Sequence, residues 1–177
     1  MNSMIKDLLQ LAAWAVAVLG GLIAAFKAIV EWRESRRWKQ AEMAKTCLDE
    51  IRDNTLARDA LKMLDWEGLS FELTDGTRTP QISHENRRAA LRTVNTEFLL
   101  GDPGPFIRDA FDSLFDGFER LEHFIRIDLI RFEDVAPAFR YYVDKLGAPD
   151  ERQVTEGFLA AYKFELAVSF LKRFATW

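Results

Sequence analysis

The chain has 177 residues, and its hydrophobic share of 49% with 12% aromatics suits a folded core and excludes a disordered chain. A single cysteine, Cys47, excludes an intrachain disulfide, and two histidines at unrelated positions predict neither a metal site nor a cofactor. Six basic and three acidic residues give residues 1–39 a charge of +3, so the net −4 leaves −7 for the remainder, which disfavours a nucleic-acid partner.

The first element is an uncharged run from Leu8 to Phe26, bounded by Asp7 and Lys27. As a helix it would be about 28 Å long, close to the roughly 30 Å of a bilayer's hydrocarbon core. We therefore predict a transmembrane helix within residues 1–31. The alternatives are a cleaved signal peptide and a core helix of a soluble protein. The weak charge before the run and the strong positive charge after it favour a retained span.

The residues after this run are basic and aromatic. They include the predicted interfacial anchors Trp32, Arg33, Arg36, Arg37 and Trp38. By the positive-inside rule, the long C-terminal part should be cytoplasmic, in a bacterial inner membrane. Tryptophans interleaved with arginines are typical of the membrane–water interface, so membrane lipids are expected partners.

Small residues recur every four positions within the span. They are Ala13, Ala17, Gly21 and Ala25. This spacing lines one stripe of a helix and lets helix backbones approach closely in lipid. The stripe predicts a homo-oligomer; the alternative is that alanine and glycine are simply common in membrane helices.

The rest of the chain is predicted to be helical. No proline or glycine interrupts residues 32–53, which should extend the membrane helix as a juxtamembrane segment. Residues 54–177 should form a cytosolic bundle of five or six helices. Near the membrane, Cys47 suggests a reducing compartment or a palmitoylation site, although an idle buried thiol is the favoured interpretation.

Within the bundle, the pattern predicts a helix over Leu56–Trp66, an extended piece over 69–73 and a loop over 74–80. Ser83 should cap a helix that runs to about Leu100, before a rigid turn at 101–105. An apolar stripe follows, predicted to lie in the core: Ile107, Phe111, Leu114, Phe118, Leu121 and Ile125. After a break near Asp128, helices are predicted over about Phe132–Leu146 and, as one last helix, over about Glu151–Phe174.

Chemical motifs are few. Five residues separate Arg78 from His84, a spacing similar to the Arg–His pair that HEPN-type ribonucleases use across a dimer. That motif needs a helix end facing a shared cleft, whereas Arg78 lies beside a proline-containing loop. His123 is predicted to be a surface residue. The carboxylates Asp109 and Asp116, with Asp112 between them, are predicted to form a solvated acidic face instead of a cation site.

One block of the sequence resembles a known group of proteins. It reads FDSLFDGFERLEHFIRIDLI at 111–130, FEDV at 132–135 and FRYYV at 139–143, downstream of the membrane helix and the Arg/Trp-rich stretch. This arrangement resembles bacterial single-pass membrane proteins with a helical cytosolic domain. It is also loosely similar to CRISPR-accessory membrane proteins encoded beside RNA-guided RNA nucleases. The resemblance implies an oligomeric pore with a degenerate HEPN-like domain, and it carries over no catalytic residue.

Three functions remain open at this point. The first is a self-associating, non-enzymatic membrane protein that forms a pore or perturbs the membrane in antiviral defence. The second is a membrane-tethered adaptor whose acidic domain holds a cytosolic protein partner. The third is a membrane-anchored HEPN-like ribonuclease.

Overall fold

The computed structural model describes residues 3–73, 76–92 and 103–174, apart from the side chains of residues 3–9, 13 and 15. These residues form seven helices and no strand, so the predicted all-α fold, a long apolar N-terminal helix followed by a helical domain, is confirmed. The chain divides into two compact units, Met1–Gln40 and Ala41–Trp177. The helices are α1 (Ser3–Asp53), α2 (Thr55–Asp65), α3 (His84–Leu91), α4 (Gly104–Arg126), α5 (Phe132–Leu146), α6 (Pro149–Ala161) and α7 (Glu165–Leu171).

Helix α1 runs for 51 residues without a break. Its last turns belong to the second unit, where Ala44, Cys47 and Ile51 are buried in the core. Burial raises the pKa of the Cys47 thiol, with Glu50 adding to the shift, so the thiol stays protonated and unreactive at neutral pH. Asn54 then starts α2, because its side chain accepts a hydrogen bond from the Ala57 amide at 3.0 Å.

Helix α4 forms the centre of the second unit, packed against α2, α3 and α7. The predicted core stripe is buried from Ile107 to Leu121, and Ile125 at its end is half-buried. Phenylalanine rings fill the interior: the Phe118 ring lies 5.0 Å from that of Phe170 and 5.1 Å from that of Phe139. These tilted and edge-on contacts join α4 to α5 and α7.

The connection from α4 to α5 agrees with the prediction. Asp128 has a φ of 58°, and its amide and that of Leu129 bond back to the last turn of α4, which ends the helix. Helix α5 has the predicted bounds, and Gly147 caps its end.

The segment between α2 and α3 has little regular structure. The extended piece predicted at 69–73 contributes an isolated bridge, in which the Ile82 amide donates to the Leu69 carbonyl at 2.9 Å. The predicted cap at Ser83 is confirmed: its hydroxyl accepts from the Asn86 amide at 3.1 Å, and the Asn86 side chain bonds back to the Ser83 amide.

Helix α3 ends earlier than predicted. The sequence predicted a helix to about Leu100, but α3 ends at Leu91 and the backbone of Arg92 is extended. The Arg108 side chain donates to the carbonyls of Ala90 at 2.7 Å and Arg92 at 2.9 Å, at this end of the helix. Residues 93–102, which include part of the predicted turn at 101–105, lie outside the described residues.

The prediction of one uninterrupted final helix is wrong. Helices α6 and α7 are separated at Lys163, whose φ is 60°. The Lys163 amide bonds to the Ala160 carbonyl at 3.3 Å, and the Phe164 amide to the Leu159 carbonyl at 2.9 Å. This is the Schellman arrangement, which normally uses glycine at the left-handed position. A lysine at that position gave no sequence signal for the break.

Candidate functional site

The apolar part of α1 is exposed over its whole described length. Leu11, Ile23 and Phe26 are each 69–70% exposed, and none of the most apolar window is buried. In the described part of the chain, one helix is long and apolar enough to cross a membrane, and it lies within Gln10–Asp53. This exposed apolar window is the first candidate for a functional surface.

The predicted stripe of small residues lies on this exposed helix. Ala17, Gly21 and Ala25 are exposed, and a Cβ added at Gly20 or Gly21 would meet no atom within 4 Å. The side chain of Ala13 is outside the described part. The three described members therefore present an open, shallow surface that a second helix could approach.

The predicted interfacial anchors follow directly on the same helix. Trp32 and Trp38 are 60% and 78% exposed, and the Arg36 guanidinium lies 5.5 Å from the centre of the Trp32 ring. A cation over an indole face gains electrostatic energy, and it holds this arginine close to the helix surface. Arg33 and Arg37 are exposed as well.

The two members of the predicted Arg–His pair lie in different surroundings. Arg78 is exposed, and its backbone forms an isolated bridge with Glu72. His84 is half-buried, and its Nε2 lies 3.5 Å from the Glu67 carboxylate. Both residues are described, and their side chains share neither a hydrogen bond nor an ion pair.

The neighbour of His84 is instead Arg87, which the sequence did not single out. Its Nη2 lies 3.2 Å from His84 Nδ1 and donates to the Glu151 carboxylate at 2.6 Å. The other Nη donates to the Met63 carbonyl. Arg87 and Glu151 are 64 residues apart in the chain and almost fully buried. Together with the Met63 contact, the pair joins α2, α3 and α6, and we interpret it as a structural contact.

A second buried carboxylate, Glu122 of α4, is held by two arginines. Arg173 donates to both of its oxygens, at 2.6 and 3.0 Å, and Arg126 donates at 2.9 Å. Burial alone would raise the pKa of Glu122, but the hydrogen bonds from Arg173 and Arg126 together outweigh it and the pKa is lowered. The carboxylate therefore stays ionised and ties the C-terminal end of the described chain to α4.

An open polar cavity of about 470 Å³ lies at one side of α4. It is lined by Asn54, Ser113, Asp116, Glu119 and Arg120. Its main polar groups already have partners: Glu119 accepts from the backbone amides at the start of α7, and Arg120 donates to Glu50 at 3.0 Å. We assign it no ligand, because Glu119 and Arg120 are already engaged in these structural contacts.

The acidic residues of α4 differ from one another. Asp109 and Asp116 are exposed as predicted, but Asp112 is half-buried and one of its oxygens finds no hydrogen-bond partner among the described residues. Burial raises the pKa of Asp112, and the charges of Asp116 and Asp109 raise it further. His123 is exposed, as predicted. No group of three acidic, histidine or cysteine side chains in the described ranges is arranged to hold a metal ion.

No protein-family model, no curated protein and no solved structure matches this chain. Among the features described above, the exposed apolar helix with its basic, aromatic flank is the candidate functional site.

Proposed function

We propose that this chain is a self-associating single-pass protein of the bacterial inner membrane. The observation that carries the proposal is the exposure of ten large apolar side chains between Leu11 and Val30. Fully burying one such side chain is worth about 1.5–3 kcal/mol. Even at half of that value, covering all ten side chains would contribute about 8–15 kcal/mol of favourable free energy, comparable to the whole stability of a domain. Lipid acyl chains would cover this surface.

The orientation of the proposed span follows from the charges beside it. Residues 1–7 contain one basic residue, Lys6, whereas Arg33, Arg36, Arg37 and Lys39 follow the apolar run closely. Basic residues near a span are retained on the cytoplasmic side. Residues 41–177 would then lie in the cytoplasm.

Self-association is supported by the open stripe at Ala17, Gly21 and Ala25. In lipid, close packing of small residues takes the place of the hydrophobic effect in holding helices together. The span contains no charged group, so a path between assembled copies would be lined by small or apolar side chains. Support for membrane perturbation in antiviral defence comes from the resemblance to CRISPR-accessory membrane proteins.

The test compares two double variants of the full chain in detergent micelles. Ala17→Leu with Gly21→Leu fills the stripe, and Ala12→Leu with Leu19→Phe adds bulk on the opposite side of the same helix. Molar mass is measured by light scattering, corrected for bound detergent. We expect an oligomer for the parent chain and the control, and a monomer for the stripe variant. A stripe variant with unchanged mass would contradict the proposed interface.

Membrane perturbation is tested separately by dye release from lipid vesicles containing the reconstituted chain. We expect release from vesicles with the parent chain and the opposite-face control, and none with the stripe variant. An oligomer that releases no dye would exclude the pore. A parent chain that is monomeric in micelles would favour the adaptor, whose acidic domain is suited to a basic protein partner.

A further inference from the structure

The four basic residues between Arg33 and Lys39 lie on one side of α1. We call them the basic face: Arg33, Arg36, Arg37 and Lys39. At 3.6 residues per turn they fall within an arc of about 160°. Glu31 and Glu34 fall on the other side of the helix, and Glu31 pairs there with Lys27 at 3.7 Å. The positive charge of this segment is therefore concentrated on one surface.

The side chains of this surface are directed towards the apolar segment. On a helix the Cα–Cβ bonds tilt towards the N-terminus, so long side chains cover the preceding turn. The contact between Arg36 and Trp32 shows this directly, because the guanidinium lies over a ring one turn closer to the apolar segment. Charged ends that lean this way lie nearer the bilayer than their own Cα atoms.

The distances along the helix place this surface at the level of lipid headgroups. Arg33 is about 10 Å and Lys39 about 20 Å beyond Phe26 along the axis. The headgroup layer is about 5–8 Å thick, and an anionic surface attracts basic residues within a further Debye length of about 8–10 Å. The three arginines of the basic face fall within this zone and Lys39 lies just beyond its outer limit, whereas the remainder of the chain, at −7, is repelled by an anionic surface.

We propose that the basic face binds anionic phospholipids of the cytoplasmic leaflet, through their headgroup phosphates. The inference rests on the proposed membrane span and adds a lipid preference to it. Three arginines suit this ligand, because the planar guanidinium donates two parallel hydrogen bonds to a phosphate. Trp32, about 9 Å beyond Phe26 along the axis, would share this layer with its ring leaning towards the edge of the hydrocarbon.

The test uses the full chain with Trp32 as its one tryptophan, the other four being replaced by phenylalanine. It is reconstituted in vesicles that contain either dibrominated phosphatidylglycerol or dibrominated phosphatidylcholine, mixed with unbrominated lipid. Bromine quenches tryptophan fluorescence on contact, so the two quenching curves give the relative binding constant of the two lipids beside Trp32. Arg33→Gln, Arg36→Gln and Arg37→Gln are combined in the test variant. A matched control removes three exposed charges elsewhere: Arg58→Gln, Lys163→Gln and Lys172→Gln.

We expect phosphatidylglycerol to be preferred by about fivefold or more in the parent and in the control. The preference should fall to about one in the test variant, and it should weaken in the parent as salt is raised. Equal binding of the two lipids by the parent, or a preference that the test variant keeps, overturns the inference. The proposed span survives that result, because quenching by phosphatidylcholine already places Trp32 in the bilayer. No quenching by either lipid overturns the span itself and the inference with it.

Discussion

Replacing Arg87 by methionine tests whether the buried ion pair organises the helical domain. Arg87 links three helices through the Glu151 carboxylate, the Met63 carbonyl and His84. Its side chain is 3% exposed and that of Glu151 is 8% exposed, so water replaces neither partner. Methionine keeps most of the apolar volume of the side chain and removes the charge.

The size of the effect follows from the contacts that remain. Removing one partner of a buried pair typically costs about 3–5 kcal/mol, because the other charge stays buried without compensation. Glu151 retains Arg88 at 3.6 Å, which places the expected loss near the lower end, about 3 kcal/mol. For a domain of this size, the midpoint of thermal unfolding should fall by about 10 °C.

The double variant Arg87→Met with Glu151→Leu is the matched control. It removes both charges, and it should unfold within about 1 kcal/mol of the parent. The assay is thermal unfolding of the full chain in detergent micelles, followed by circular dichroism. A single variant that loses less than about 1 kcal/mol, or a double variant that is as unstable as the single one, would refute this reasoning.

Three further predictions concern charge and packing in the helical domain, each measured as an unfolding midpoint. Glu122→Gln should lower the free energy of unfolding by about 2–3 kcal/mol at pH 7, because it removes charged hydrogen bonds to two arginines. The lowered pKa of Glu122 means that this stability is present above the ordinary pKa of 4.5 and is lost as the folded carboxylate protonates in acid. Asp112→Asn should raise the free energy of unfolding at pH 7, because the raised pKa of Asp112 means that its ionised form destabilises the fold. Well below pH 3.8 the variant and the parent should be equally stable. The same pH dependence in both variants would contradict the assignment. A Cβ at Gly117 would lie 3.0 Å from Ile51, whereas one at Gly157 meets nothing within 4 Å. Gly157→Ala should therefore gain about 1 kcal/mol, and Gly117→Ala should be about 1–3 kcal/mol less stable than Gly157→Ala; equal midpoints would show that Ile51 moves freely.

Local sequence patterns predicted much of the fold. The bounds of α5, the cap at Ser83 and the buried stripe of α4 follow from signals within a few residues. The two differences depend on contacts that local patterns do not contain. Helix α3 ends at the point where the Arg108 side chain donates a hydrogen bond to the carbonyl of Ala90, 18 residues earlier in the chain. The final helix breaks at Lys163, a residue type that seldom adopts positive φ.

The candidate site was visible in the sequence because its parts are contiguous. The buried ion pair was not visible, because its two residues are far apart in the chain. An uncharged run and its basic flank are contiguous, so they can be read directly from the chain. Arg87 and Glu151 meet only after α3 and α6 have packed together. The proposed partner of the Ala17–Gly21–Ala25 stripe would be a second copy of the chain, which a single folded chain does not contain.

Protease accessibility in bacterial spheroplasts tests the membrane span and its orientation most directly. The chain, tagged at its C-terminus, is followed after a carbonate wash of the membranes and after protease is added outside intact or lysed spheroplasts. We expect a full-length chain that stays with the washed membranes, resists protease in intact spheroplasts and is digested after lysis. Recovery of the full-length chain as a monomer without detergent, or digestion of the helical domain in intact spheroplasts, would contradict the account.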